Sequence, residues 1–428
     1  MTMIDILPDR LFAEPGRVVI RPFQVGPIPK STQEAATSRM NRIVNSVLEM
    51  SEEACETELT LVDQDFTGRH WQTKRIYLDR FNQIREGLGL ERGLSSTRQE
   101  LIGAYFCHEY SYASAALMNP SIVAHPDQNG LAEGQLRLVM SLRAVGEGHI
   151  SSVVFRECII DSAGGFRLIP QSSLSVALQH APQPSSIPGA VKIARFVETP
   201  LSGAVLFPMT DQQRNGIEDM RLVRFEQPDG RILYCGTYTA YNGRDIQSEI
   251  LITEDFQNFE LCPLQGGASR NKGMALFPRQ IDGQYAMIGR QDGENIFYHT
   301  SPDLLRWESG QKLITPHYPW ELVQMGNCGS PIEIDEGWLL LTHGVGAMRK
   351  YSIGAVLLDK KDPSKILGRS MTPLLAPHAE QREGYVPNVV YTCGAVALGR
   401  KLFVPYAVAD SSVAFAWMDI DSMLSSLG

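Results

Sequence analysis

ILITEDFQNFE at residues 250–260 and YHTSPDLLRWE at residues 298–308 carry one pattern twice. Each begins as an apolar strand and reaches Thr253 or Ser301. An acid (Asp255, Asp303), an apolar residue, two spacers, an aromatic residue and Glu follow. A hairpin-like pair of runs precedes each copy, within 232–252 for the first and at Tyr285–Gly289 and Asn295–Thr300 for the second. The repeat is near 48 residues, with about four strands per unit. Radial repetition of small four-stranded units is the sequence signature of a β-propeller. A pair of β-sandwiches is the structural alternative.

Outward from these copies the same texture persists. After Asn119, short apolar runs alternate with turn residues, among them RLVMSLRAV, SSVVFREC, RILYCGTYTAY, GWLLLTHGV, SIGAVLLD, KLFVPYAVA and SVAFAWMDI. No helical period is sustained there, which predicts an all-β architecture of antiparallel strands. Residues 108–428 leave room for five or six repeats. The first third differs. One short strand, Val18–Ile20, is followed by helical spacing at Met40, Ile43, Val44, Val47 and Leu48. Ser31 and Glu34 read as a capping box ahead of it. A second helix is expected over Lys74–Leu88, and a third from Ser96 or Thr97 to about Met118. The expected division is a mainly helical segment, 1–104, and a strand-rich domain, 105–428.

The totals narrow the function. Of 428 residues, 43% are hydrophobic and 20% charged, with a net charge of −9, the composition of a soluble globular chain. Lys and Arg form no basic block, which argues against nucleic acid as a partner. No run is long and apolar enough to span a membrane, and the acid-bearing start MTMIDILPDR is unlike a secretory signal. Seven widely spaced cysteines without a CxxC point to a reducing, cytoplasmic setting. Nine histidines show no metal-ligand spacing, so neither a catalytic metal nor another cofactor is expected.

Polar clusters recur at the ends of the expected strands. In NGIEDMRLVRFEQPDGRILYCGTYTAY (215–241), Glu218, Asp219 and Arg221 open a hairpin whose turn is Gln227-Pro228-Asp229-Gly230. They are expected on a loop at the hairpin mouth, as catalytic groups or as a structural ion pair. The other clusters are Asn119-Pro120-Ser121 with Arg143 and Gly146–His149; Arg270-Asn271-Lys272-Gly273 with Arg290; Gly326-Asn327-Cys328-Gly329 with His343; and Pro387-Asn388-Val389 with Tyr391 and Asp410. In a propeller, corresponding strand ends converge on one axial mouth, so one polar cluster per unit would build a pocket there.

GIEDMR, SLRAVGE, NK followed by LFP, GWLLLTHGV and PNVVY…AVAD together resemble glycoside hydrolase family 130, the β-mannoside phosphorylases and related β-mannosidases. The resemblance covers roughly residues 105–428. It implies a five-bladed β-propeller with the helical segment as an N-terminal extension, and an enzyme that inverts the anomeric centre. Asp219 would be the proton donor, reaching the glycosidic oxygen through a sugar hydroxyl. Inorganic phosphate would be co-substrate, attacking the anomeric carbon to release α-mannose 1-phosphate. Arg143, Arg270 and Arg290 would hold phosphate, with Asn119 and Asn271 as neutral donors. Planar guanidinium forks suit phosphate oxygens. Glu218, Arg221, Lys272, His343, Tyr391 and Asp410 would line the sugar.

Two departures matter. Met220 stands where the family motif GVEDPR has proline. The lysine that phosphorylases carry before the G-x-G-x-P segment is missing from Val323-Gln324-Met325-Gly326, although Arg349 or Lys350 could supply a charge. An inverting β-mannoside hydrolase is therefore the alternative, with Glu380 or Glu383 as base, and a non-catalytic sugar-binding propeller is the third reading. Trp307, Trp338 and Phe259 are expected to pack between units. The N-terminal helices are expected on the flank of the strands or between subunits of a homo-oligomer.

Overall fold

Five consecutive antiparallel meanders, each with four principal strands, make up the strand-rich part of the chain. The first comprises Ala116–Ala124, Gln135–Val145, Ser151–Asp161 and Phe166–Leu168. Gly216–Glu226, Ile232–Tyr241, Ile246–Thr253 and Asn258–Pro263 make the second, which Val191–Ala194 extends. The third holds Ala275–Leu276, Tyr285–Gly289, Ile296–Ser301 and Gln311–Ile314. In the fourth are Gln324–Asn327, Gly337–Val345, Tyr351–Leu358 and Ile366–Arg369. The fifth takes Val390–Tyr391, Lys401–Val408 and Ser412–Asp419, and its outer place is filled from the chain start by Ile4–Phe12. This computed structural model describes residues 3–23, 33–90 and 93–428.

The repeated sequence pattern has a physical cause. Thr253 Oγ1 accepts from Phe256 N at 3.0 Å, and Asp255 Oδ1 accepts from the backbone N–H of Gln257 and Asn258, each at 2.8 Å. Forty-eight residues on, Ser301 Oγ accepts from Asp303 N at 3.1 Å, and Asp303 Oδ1 from Leu305 N at 2.9 Å. Each hydroxyl and acid satisfies the backbone of a reversal between the outer strands. The aromatic that follows, Phe259 or Trp307, is buried.

Adjacent meanders share apolar cores. Phe155 and Val139 meet Leu222, Tyr238 and Phe259 between the first and second. Phe225 and Cys262 meet Met287 and Trp307 between the second and third. Phe277 and Ile288 meet Trp338 and Leu340 between the third and fourth, and Leu341 and Ile353 meet Tyr406 and Val404 between the fourth and fifth. Ala116, Met118 and Val145 of the first then meet Ala407 of the fifth. Packing thus runs through all five meanders and returns to the first. The expected burial of Trp307, Trp338 and Phe259 between units is what the structure has.

Compactness divides the chain into two units: Met1–Pro15, Ala113–Ser172 and Leu178–Gly428 in one, Gly16–Tyr112 with Ser173–Ala177 in the other. The second unit holds four helices, Gln33–Glu49, Glu52–Phe66, Thr73–Leu88 and Ser96–Tyr105, around Val44, Val47, Cys55, Phe81, Leu101 and Phe106. Gly103 lets the last two helices touch, since a Cβ there would lie 1.9 Å from Tyr77 O. The capping box expected at Ser31 and Glu34 falls outside the described side chains.

Three expectations need correction. The helix expected to reach Met118 stops at Tyr105, because Cys107–Ser111 pairs with Val18–Pro22 and Ala116–Ala124 is a strand buried along almost its whole length. Glu52–Phe66 forms a separate helix that the periodicity missed. Cys55 is its one buried residue, and its signal is local: Ser51 accepts from Ala54 N, with Glu52 and Glu53 in the first turn. The first strand, Ile4–Phe12, was also missed. Pro8 and three charges interrupt its alternation, yet Pro is tolerated at an edge strand with a register shift, which lies here between Ile6 and Arg10.

Candidate active site

Asp219 lies inside a strand, not on the expected loop at a hairpin mouth. In the pairing of Gly216–Glu226 with Ile232–Tyr241, Glu218 faces Thr239 and Arg221 faces Thr237. Asp219 and Met220 therefore share the single partner Tyr238, which is a β-bulge, and Asp219 has φ 53°. The Gln227–Gly230 turn closes the opposite end of the hairpin. Met220 is buried and lies against Gly236, where a Cβ would meet its side chain at 3.0 Å.

The first meander repeats the device. Met118 faces Arg143 and Ser121 faces Ser141, leaving Asn119 (φ 51°) and Pro120 on a bulge. Asn388 (φ 61°), Gly273 (φ 89°) and Gly329 (φ 126°) are the left-handed residues at corresponding places in the other three meanders. Asp, Asn and Gly are the residues that tolerate this geometry best. A bulge re-aims a side chain, and here the re-aimed groups meet.

Asn119 Nδ2 donates to Asp219 Oδ1 at 2.7 Å, and Arg143 Nη1 donates to the same oxygen at 3.1 Å. Arg143 also reaches Glu218 Oε1 at 2.8 Å and Ser151 Oγ at 2.9 Å. Lys272 Nζ holds the other Glu218 oxygen at 2.8 Å. Arg221, buried, donates to the Asp219 carbonyl at 3.0 Å and to the Tyr391 hydroxyl at 2.8 Å. Burial alone would raise the Asp219 pKa, but Arg143, Arg221 and Lys272 outweigh it and hold the carboxylate at about 2. Asp410 shows the reverse balance. Burial and the Asp219 charge push it up to about 6, against the pull of Arg143 and Arg349.

A second group adjoins the first through Tyr391. Its ring meets His343 edge-on, with centroids 4.9 Å apart, and His343 Nε2 lies 3.4 Å from Arg290 Nη1. Arginine can only donate, so Nε2 is the acceptor and the imidazole is neutral. Burial first, then Arg290 and Arg221, keep its pKa well below the ordinary value. Asn119 Oδ1, Arg221 Nε, Arg290 Nε and Asn327 Oδ1 are buried here without a hydrogen-bond partner among the described residues. Such a concentration of unmet polar atoms is the mark of a place where a ligand supplies partners.

The expected residues thus assemble with two exceptions. Asn271 uses its side chain on Gln291 O and Lys272 N, bracing the turn beside Arg290. Arg270 is exposed at the end of the Gly267–Arg270 turn. Glu380 and Glu383 are exposed on their loop. Gln324 Nε2 lies 3.2 Å from the Tyr351 hydroxyl, and the Arg349 guanidinium stands 5.8 Å over the same ring. Asn327 was read only as a member of a polar cluster, with no role, and Ser151 was not singled out at all. Asn327 is flagged by its Asn-x-Gly context, whereas nothing local marks Ser151.

A cavity of about 400 Å³ lies toward the other end of the innermost strands, lined by Ala124, Arg224, Arg279, Glu333 and Val396 among others. All five meanders contribute residues to it. The carboxylate and cation cluster occupies the end away from it.

The family model of glycoside hydrolase family 130, described as beta-1,4-mannooligosaccharide phosphorylase, matches residues 195–427. A 1,2-beta-oligomannan phosphorylase of Thermoanaerobacter sp. (strain X514) is 32% identical over 224 residues, 51% of this chain and 74% of that protein. A beta-1,2-mannobiose phosphorylase of Listeria innocua is 33% identical over 232 residues, 52% of this chain and 63% of that one. Among solved structures, beta-1,2-mannobiose phosphorylase from Listeria innocua in complex with beta-1,2-mannobiose superposes with a TM-score of 0.50 at 25% identity, covering 73% of this chain and 92% of that chain.

Proposed function

Because the chain belongs to glycoside hydrolase family 130, we propose that it is an inverting phosphorylase of terminal β-mannosides, yielding α-mannose 1-phosphate and a shortened acceptor. One observation carries the phosphate half of this reading. Four cations, Arg143, Arg221, Lys272 and Arg290, converge with three carboxylates, Glu218, Asp219 and Asp410, the last with its pKa pushed up to about 6. At neutral pH one positive charge remains, and a second appears as Asp410 protonates below about pH 6, a balance that favours a phosphate anion. The names of the relatives support the same chemistry, and make β-1,2-mannobiose the first substrate to try. Five consecutive meanders whose apolar packing returns from the fifth to the first support the reading of the fold as a five-bladed propeller. Seven free thiols, six of them buried, support a reducing, cytoplasmic setting.

In this reading a phosphate oxygen attacks the anomeric carbon from the face opposite the glycosidic bond. That bond breaks, and its oxygen takes a proton that originates on Asp219 and passes through a sugar hydroxyl. In the free site Asp219 is an anion locked by cations. A bound phosphate anion draws on the same cations, so the Asp219 pKa rises as the co-substrate arrives. Phosphate both supplies the nucleophile and readies the acid. The neutral His343 acts as an acceptor beside Arg290 and adds no charge.

Incubation with β-1,2-mannobiose should release mannose 1-phosphate in proportion to added phosphate, read by ³¹P NMR. Equal sugar release without phosphate would instead select the hydrolase reading. That alternative rests on Gln324, which occupies the position of a phosphorylase lysine. The exposed Glu380 and Glu383 are poor bases for it, because water solvates them far from low-dielectric surroundings.

A further inference from the structure

Resting on that reading, we propose that the hydrogen-bonded pair Tyr385–His149 forms the platform on which the leaving-side pyranose unit lies. Tyr385 Oη is 3.0 Å from His149 Nδ1, and the two rings lie 6.0 Å apart at 40°. Both side chains are exposed, Tyr385 at 45%. Solvated rings held in one arrangement contribute little to the core, and His149 has a left-handed backbone at φ 59°.

Both partners stand one step from the groups around Asp219. His149 belongs to the loop that joins the strand of Arg143 to the strand of Ser151, and Arg143 and Ser151 are themselves bonded. Tyr385 N donates to Ser411 Oγ, and Val386 N donates to Ala409 O at 3.0 Å, so the Tyr385 loop clasps the turn that carries Asp410. Gly384 makes that clasp possible, since a Cβ would lie 2.5 Å from Ser411 Oγ and 2.6 Å from Ala409 O.

Position selects the occupant. The pair bridges the fifth and first meanders, and in a ring of five that junction lies across from the third, which carries Arg290. Inversion requires nucleophile and leaving group on opposite faces of the anomeric carbon. With phosphate held on the Arg290 and His343 side, the leaving unit falls at the junction of the fifth and first meanders. A pyranose offers a face of C–H groups to an aromatic ring and hydroxyls to its polar rim, which matches a tyrosine edged by imidazole.

The test uses the full-length protein in both directions. Tyr385→Ala should raise KM for the acceptor mannose about tenfold in synthesis from α-mannose 1-phosphate, and KM for β-1,2-mannobiose similarly in degradation. KM for α-mannose 1-phosphate should stay within about twofold, because that unit does not reach the platform. Tyr385→Phe, which keeps the ring and loses the link to His149, should give an intermediate rise of about threefold. An unchanged acceptor KM in Tyr385→Ala, or equal rises for acceptor and mannose 1-phosphate, overturns the platform alone. A wild type inactive on β-mannosides overturns the platform and the proposed function together. A wild type that releases mannose without phosphate overturns phosphorolysis, and the KM for β-1,2-mannobiose in Tyr385→Ala then decides the platform by itself.

Discussion

Asp219 and Asp410 both answer to Arg143, with opposite results. Asp219, hydrogen-bonded to Asn119 and Arg143, is held at about 2, and Asp410, with no cation hydrogen-bonded to it among the described residues, is pushed up to about 6. The stability that Asp219 draws from its partners is therefore present above pH about 4 and lost as pH falls toward 2. Asp410 works in the other sense. Its folded pKa exceeds its unfolded one, so the protein loses stability as pH rises from about 4 to 6 and carries that cost at neutrality. Asp410→Asn should stabilise the fold by about 1–2 kcal/mol at pH 7.5 and by nothing measurable at pH 4, read by urea denaturation at both values. Turnover should fall in the same variant, the usual trade at a strained site. Asp219→Asn should lower kcat by a factor on the order of 10³ while the circular dichroism spectrum stays unchanged. Asp219 was legible as a residue but not as a geometry. The motif names the acid, whereas the bulge that aims it depends on pairing with Thr237 and Thr239, residues whose register no local pattern states.

At the scale of elements, two loops of one design show what local sequence can carry. Val145-Gly146-Glu147-Gly148-His149-Ile150 and Val345-Gly346-Ala347-Met348-Arg349-Lys350 each close a hairpin, with Gly146 N donating to Ile150 O at 3.2 Å and Gly346 N to Lys350 O at 3.0 Å. The third loop residue is left-handed in both, Gly148 at φ 67° and Met348 at φ 55°. Glycine suits that conformation and methionine is strained in it, while Met348 is 92% exposed and packs on little. Met348→Gly should therefore leave Tm unchanged or raise it by up to about 2 °C in a thermal melt, where a buried methionine replaced by glycine would lower it sharply. The outer-strand turns allow a graded comparison. Asp255 accepts from two backbone N–H groups and from Asn258 Nδ2, and Asp303 from one backbone N–H. Asp255→Ala should cost about 1–2 kcal/mol in urea denaturation and Asp303→Ala about half that. These turns were readable because a hydroxyl and an acid recur wherever the reversal recurs. Ile4–Phe12 was not, because a strand that completes a distant sheet takes its order from Ser412–Asp419 rather than from its own alternation.

For the molecule as a whole, the telling bond is Glu14 N to Ala113 O at 2.9 Å. The strand-rich unit is entered at its first strand and left at Pro15, and it is re-entered at Ala113, beside the point of exit. Gly16–Tyr112, the main part of the helical unit, thus leaves and rejoins the strand-rich unit at neighbouring points, while Ser173–Ala177 joins the helical unit from later in the chain. Insertions of this kind are removable in principle, because a few residues close the gap and loop closure over so short a span costs little. Two deletions should separate the roles. Removing residues 1–12 uncovers the outer edge of Ser412–Asp419 and takes Leu11 from the fifth meander. It should lower Tm by more than about 10 °C or leave the protein insoluble, as an uncovered edge strand invites association. Replacing Gly16–Tyr112 by a short Gly-Ser linker should instead leave the strand signal in circular dichroism intact, with mannoside turnover within about threefold of the full chain, since Asp219 and its partners all lie in the other unit. If the helices join subunits, light scattering on this variant will report the mass of one chain where the full-length protein reports a multiple. Loss of strand signal would show that the helices are part of the fold rather than an attachment to it.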